Sequence, residues 1–222
     1  MLCVDIICHG VPSYKVWRKY LEFIVKKTCG KKYEISSIAD VEFRKKINNN
    51  GVFNSKNLMI NFKNGKSLIV NSERDLYLKG YSARLFLRPS CSKCKFASKK
   101  RYSDITIADC WGIENIYPNI DPHSGESLLI INTKKGRNIL NEMKEHFLLI
   151  SLDEDFVCKY NECYYRPTSF HKKRKSFFDN IDRISFKKNI LLCLKTFGLT
   201  NKVKVFIPKP IKKIIHMFIK RG

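Results

Sequence analysis

The sequence predicts an α+β protein: a mixed β-sheet flanked by helices, followed by a basic amphipathic helical tail. Apolar runs of strand length alternate with stretches of helical periodicity. Asn64-Gly65 lies between two alternating runs and predicts an antiparallel hairpin, so a mixed sheet fits better than a purely parallel one. Residues 172–222 then change character, holding 15 of the 43 Lys and Arg but 2 of the 20 acidic residues.

The chain opens on "LCVDII", a continuous apolar run expected of a strand covered on both faces. Starting inside such a strand suggests a cut through a larger fold. "CHGVPS" turns the chain, with Pro12 near a helix start where a missing N–H is tolerated. Val16, Trp17, Tyr20, Leu21, Ile24 and Val25 recur at helical spacing, and Gly30 can supply the left-handed residue beyond the end. Cys8 and His9 thus fall at the C-terminal edge of a strand, where open sheets place their sites. "YEISSIADVEFR" reads as a strand, and "NLMINFKNGKSLIVNS" as the hairpin. Residues 74–87 read as a helix, followed by a cysteine-bearing basic loop, the strand "DITIAD" and a loop through Gly112 and Gly125. A strand "SLLIINT", a helix over 134–147 and a strand "FLLISL" complete the pattern. Residues 1–180 form the predicted domain. In the tail, 181–222, "FKKNILLCLKTFGL" and "IPKPIKKIIHMFIKRG" set large apolar residues against lysines. That pattern suits an anionic bilayer surface, or packing on the domain or on a partner helix.

The net charge of +23 suggests an anionic partner, although a solvated basic tail satisfies the same numbers. No apolar run approaches the roughly 20 residues of a membrane span. The opening lacks a secretory pattern, so the nine cysteines read as thiols of a reducing, cytoplasmic compartment, where clustered thiols bind metal or do redox chemistry. Peripheral attachment at the inner face of the membrane remains open to the tail.

Cys91 and Cys94 form a CxxC pair, half of a four-coordinate site. Cys8, next to Gly10 on a strand-to-helix turn, is the best candidate to join them, and Cys110 can fold back toward the loop. Cys29 sits at a helix C-terminus, where the dipole disfavours a thiolate. Cys158, Cys163 and Cys193 have apolar neighbours and read as buried structural thiols. His9 points away from Cys8 along an extended segment. Spacing alone leaves zinc and an iron-sulfur cluster both open. Glu114, Asp121 and His123 share a loop, but shared sequence neighbourhood is weak support for acid–base chemistry.

"ICHGVPSYKVWRKYL", "LFLRPSCSKCKFASKKRYSDITIADCWGI" and "HSGESLLIINTKKG" together resemble the C-terminal domain of the coenzyme F420 hydrogenase/dehydrogenase beta subunit family, iron-sulfur flavoproteins. The resemblance extends to about residue 180, through "KYNECYYRP" and "KKRKSFF". It implies an oxidoreductase in which FAD lies beside a 4Fe-4S cluster, with Cys8, Cys91 and Cys94 as three ligands. The family's fourth ligand lies in a "GTPCQ"-like segment that this chain lacks, leaving Cys110, Cys3 or a partner to supply it. The resemblance places Asp104, Asp109 and Trp111 near the flavin, Asp109 bonding a ribose hydroxyl and Trp111 stacking or, as the safer reading, packing in the core. Arg88, Lys93, Lys95, Lys99, Lys100 and Arg101 offset the cluster's charge, hold the flavin pyrophosphate or simply face solvent. A redox partner protein or ferredoxin-like domain is implied, with nucleic acid disfavoured, and members with "CHGVPS" point to bacterial surface-polysaccharide biosynthesis. The competing reading is a non-catalytic zinc-binding basic module that docks on nucleic acid or an anionic membrane.

Overall fold

A computed structural model describes residues 1–30, 32–45, 47–49, 52–54, 57–71, 74–120 and 125–198. The amphipathic stretch at 207–222, Asp121 and His123 lie outside the described residues.

Among the described residues, three small sheets carry the strands. β1 (Val4–Ile6) runs parallel to β7 (Ile105–Asp109), which pairs antiparallel with β8 (Ser127–Ile131), so this sheet is mixed. β2 (Ile38–Glu42), β5 (Asn57–Phe62) and β6 (Ser67–Asn71) form an antiparallel sheet, and β3 (Ile47–Asn49) pairs with β4 (Val52–Asn54). The β5–β6 hairpin turns where Asn64-Gly65 predicts. Gly65 takes φ 79° and its N–H bonds the Phe62 carbonyl at 3.0 Å, so the glycine alone adopts the left-handed conformation.

Two apolar cores hold the elements. The larger is built on α1 (Tyr14–Thr28), whose Val16, Tyr20, Leu21, Ile24 and Val25 are buried at helical spacing. Leu58, Ile60 and Phe62 meet it from one face of β5, as a period of two requires. Tyr20 donates a 2.7 Å hydrogen bond to Asp75, the residue that caps α2 (Leu76–Ser82). The smaller core lies beneath β7 and β8. Cys110, Ile113 and Leu128 there pack with Phe156 and Val157 of α4 (Glu154–Tyr160) and with Tyr164. α3 (Lys134–Met143) follows β8, and its Gly136 comes so close to the Asp104 carbonyl that a Cβ would lie 2.4 Å from that oxygen.

Four expectations are corrected. β1 is not covered on both faces: Val4 and Ile6 are 51% and 60% exposed, because the elements of the smaller core cover only the opposite face of the sheet. The helix predicted over 74–87 ends at Ser82, where Arg84 takes φ 59° and the Leu85 N–H bonds back to the Gly80 carbonyl. That bend turns Leu85, Phe86 and Leu87 inward, each fully buried. "FLLISL" forms no strand. It has no strand beside it to complete a ladder, and Leu148 is 92% exposed. Trp111 is not a core residue, because Cys110 and Ile113 take the inward positions and leave its ring 56% exposed.

α5 (Arg174–Asp179) and α6 (Phe186–Gly198) close the described chain. Phe186, Ile190 and Cys193 of α6 join the larger core with Phe177 of α5. The first amphipathic segment of the tail therefore packs on the domain. Among the described residues no helix is long and apolar enough to cross a membrane.

Candidate metal centre

The site lies where segments pass between the two cores. After β1 the chain turns at Gly10, whose φ of 139° is open to glycine and strained for other residues. A Cβ there would also lie 2.7 Å from Leu87 Cδ1. This turn runs antiparallel to the segment leading into the CxxC loop. Ser13 N–H bonds the Phe86 carbonyl at 2.9 Å, Arg88 N–H bonds the Val11 carbonyl at 2.8 Å, and Pro12 bridges to Leu87. These main-chain bonds fix Cys8 relative to Cys91 and Cys94, although the two parts are distant in sequence.

Pro89 opens a short 3-10 turn, Pro89–Lys93, that carries Cys91, with Cys94 at its end. Cys8, Cys91 and Cys94 line one cavity of about 360 Å³. The Val11 N–H donates to Cys91 Sγ at 3.2 Å and fixes that sulfur against the turn after β1. Lys93, Lys95 and Arg101 also line the cavity. Among the described residues no three His, Cys, Asp or Glu side chains meet closely enough to hold a single ion.

One further cysteine reaches this cavity, Cys163, which is 7% exposed on the short 3-10 turn Glu162–Tyr164. Its apolar neighbours suggest a structural thiol from sequence alone. No spacing motif links it to the CxxC pair, so only the folded arrangement brings it there. The candidates for a fourth ligand are elsewhere: Cys110 is buried in the smaller core, and Cys3 lines a separate cavity of about 240 Å³.

His9 turns away. Its Nε2 lies 3.2 Å from the Tyr81 carbonyl, its ring stands edge-on to Tyr81, and burial lowers its pKa. Tyr81 in turn donates to the Gly10 carbonyl at 3.1 Å and so braces the turn against α2.

Arg101 belongs to the framework. Its side chain is 3% exposed, and its guanidinium donates to the carbonyls of Phe96 and Tyr164, each at 3.1 Å, and lies 3.5 Å from Asp5. It thereby joins β1, the CxxC loop and the turn carrying Cys163. Asp104 accepts from the Cys3 N–H at 2.9 Å and the Thr133 hydroxyl at 2.7 Å, and these bonds lower its pKa. Asp109 accepts both arms of the Arg44 guanidinium, at 3.0 and 2.6 Å. Arg88 has an exposed side chain beside the 3-10 turn, Lys99 pairs with Glu154, and Lys100 lies over the Tyr102 ring.

Residues 1–154 match the family described as the C terminus of the coenzyme F420 hydrogenase/dehydrogenase beta subunit. The match stops before "KYNECYYRP" and "KKRKSFF", and so before Cys163. No curated protein matches the chain. Among solved structures, a chain of the F420-reducing NiFe hydrogenase complex from Methanosarcina barkeri is similar at 16% identity, with a TM-score of 0.35. The similarity covers 81% of this chain and 50% of that one, so the chain spans about half the length of that relative.

Proposed function

The chain belongs to the coenzyme F420 hydrogenase/dehydrogenase beta subunit family, in its C-terminal part, and from that premise we propose that it is an iron-sulfur electron-transfer module of an oxidoreductase. The observation that carries the reading is the placement of Cys8, Cys91 and Cys94 around one cavity by main-chain bonds between distant segments. A 4Fe-4S cluster held there supplies one-electron transfer.

The protein's own groups bind and tune. Three thiolates hold the cluster, the Val11 amide donates to the Cys91 sulfur, and the Lys93, Lys95 and Arg101 cations offset negative charge. Hydrogen bonds to sulfur and nearby cations both raise the potential of such a centre. A flavin beside it would supply two-electron hydride chemistry and make the pair a converter between carriers. Trp111 and Arg88 are exposed, and Asp109 keeps acceptor sites beyond its Arg44 pair, so these groups are the ones open to a flavin. A separate redox protein or ferredoxin-like domain is the fitting electron partner.

The test is anaerobic reconstitution of the full chain with iron and sulfide, read as visible absorbance and as iron and acid-labile sulfide per chain. The expected product is brown, Cys94→Ser loses the colour, and Cys193→Ala keeps it because Cys193 sits in the larger core. A colourless protein that takes up zinc in its place would overturn the reading.

A further inference from the structure

We infer that Cys163 is the fourth thiolate of this centre, so that Cys8, Cys91, Cys94 and Cys163 of one chain complete a four-sulfur site around the cavity they share. The inference rests on the iron-sulfur reading above and goes beyond the family match, which ends nine residues earlier, at residue 154.

Three observations support it. Cys163 lies on the wall of the same cavity as the other three. Its position is braced on both sides. The neighbouring Glu162 pairs with Arg84 and bonds Arg166 Nε at 2.9 Å, while the carbonyl of the following Tyr164 accepts from Arg101 at 3.1 Å. Independently, the Thr168 hydroxyl also lines the cavity. It is 4% exposed and lacks a hydrogen-bond partner, so a sulfur anion on the same cavity wall can accept from it. An orphaned buried hydroxyl is costly, by about 1–3 kcal/mol. A sulfur anion at Cys163 removes that cost.

The alternatives inside the chain fail on position. Cys110 faces Leu128 and Phe156 in the smaller core, and Cys3 lines the other cavity. The chemistry is a ligand exchange without change of oxidation state. The Cys163 thiol releases its proton to solvent, an Fe–S bond forms, and the solvent molecule or small thiol on the fourth iron departs. Four thiolates leave a 4Fe-4S centre anionic in both common oxidation states, and Lys93, Lys95 and Arg101 line the same wall to meet that charge.

The experiment compares the reconstituted full chain with Cys163→Ala, Cys163→Ser and Cys110→Ala, reading iron per chain and the electron paramagnetic resonance spectrum of the reduced centre. Wild type and Cys110→Ala should hold about four irons with the same spectrum. Cys163→Ala should fall to about three irons, and ferrous iron added together with 2-mercaptoethanol should restore the fourth iron and shift the spectrum. Cys163→Ser should give a spectrum distinct from both. A further reading needs no variant: 2-mercaptoethanol should leave the wild-type spectrum unchanged, because no iron is open to it. Wild-type material that changes with the added thiol, or Cys163 variants indistinguishable from wild type, would overturn the assignment and leave the three-cysteine reading standing. Wild type that takes up no iron would instead sink the iron-sulfur reading itself.

Discussion

Arg101→Met separates a structural role for this buried cation from a role in cofactor binding. The guanidinium touches all three segments that carry the cavity cysteines, through Asp5, the Phe96 carbonyl and the Tyr164 carbonyl. Methionine fills similar length without donors, so the two carbonyls lose a charged donor and Asp5 loses its cation. Breaking a buried ion pair by deleting one partner costs about 3–5 kcal/mol. The lower end applies, because Asp5 is 33% exposed and can rehydrate, and because Arg101 Nε and Asp5 Oδ1 are already unpartnered. The expected loss is therefore about 3 kcal/mol, with Arg101→Lys recovering about half, since an ammonium keeps the charge but cannot span two carbonyls with a planar fork. The assay is urea unfolding of the iron-free full chain, followed by the fluorescence of Trp17 and Trp111, with the slope against urea unchanged between variants. A loss below about 1 kcal/mol, or full replacement by lysine, would refute the bridging role and return Arg101 to the cofactor.

Gly10→Ala forces an L residue into φ 139° and sets a Cβ against buried Leu87, so urea unfolding should show a loss of about 3 kcal/mol from strain and overpacking together. Iron uptake should fall with it, because the turn positions Cys8. Asp104→Asn tests the bonds from the Cys3 N–H and the Thr133 hydroxyl that depress this carboxyl's pKa. A depressed folded-state pKa stabilises above the unfolded value of about 3.9 and is lost as pH falls through the folded value. The variant should therefore melt below wild type at pH 7, and the gap should narrow as pH falls below the unfolded value of about 3.9. A gap that persists in acid would show that the ionised carboxylate is not what holds β1 to α3.

The parts of the fold that were legible from sequence depend on local rules. The spacing of Val16, Tyr20, Leu21, Ile24 and Val25 names the buried face of α1 without reference to anything distant. Gly65 fixes the β5–β6 turn because only its conformation closes it. The errors came where a tertiary partner decides. "FLLISL" has the composition of a strand but no neighbour to pair with, and β1 reads as doubly covered because hydrophobicity does not say which neighbours are present. Arg84 ends α2 in the left-handed conformation without the glycine that usually announces it. Its side chain explains the choice, since from that bend it reaches Glu162 and Ser169.

The metal centre divides along the same line. A CxxC is visible because its two thiols share one turn, and Cys8 is visible because a strand-to-helix turn with glycine is a familiar place for an anion. Cys163 carries no such local mark. Its route to the cavity runs through Arg84 at the end of α2, Arg101 after the CxxC loop, and Tyr164, whose ring packs in the smaller core and whose hydroxyl donates to Glu154 at 2.9 Å. The wall that Cys163 forms is thus a product of both cores docking, and the site is complete only when each core is. A substitution that loosens either core, far from any sulfur, should lower iron uptake at the cavity, because the turns that carry the thiols are held by side chains from both sides.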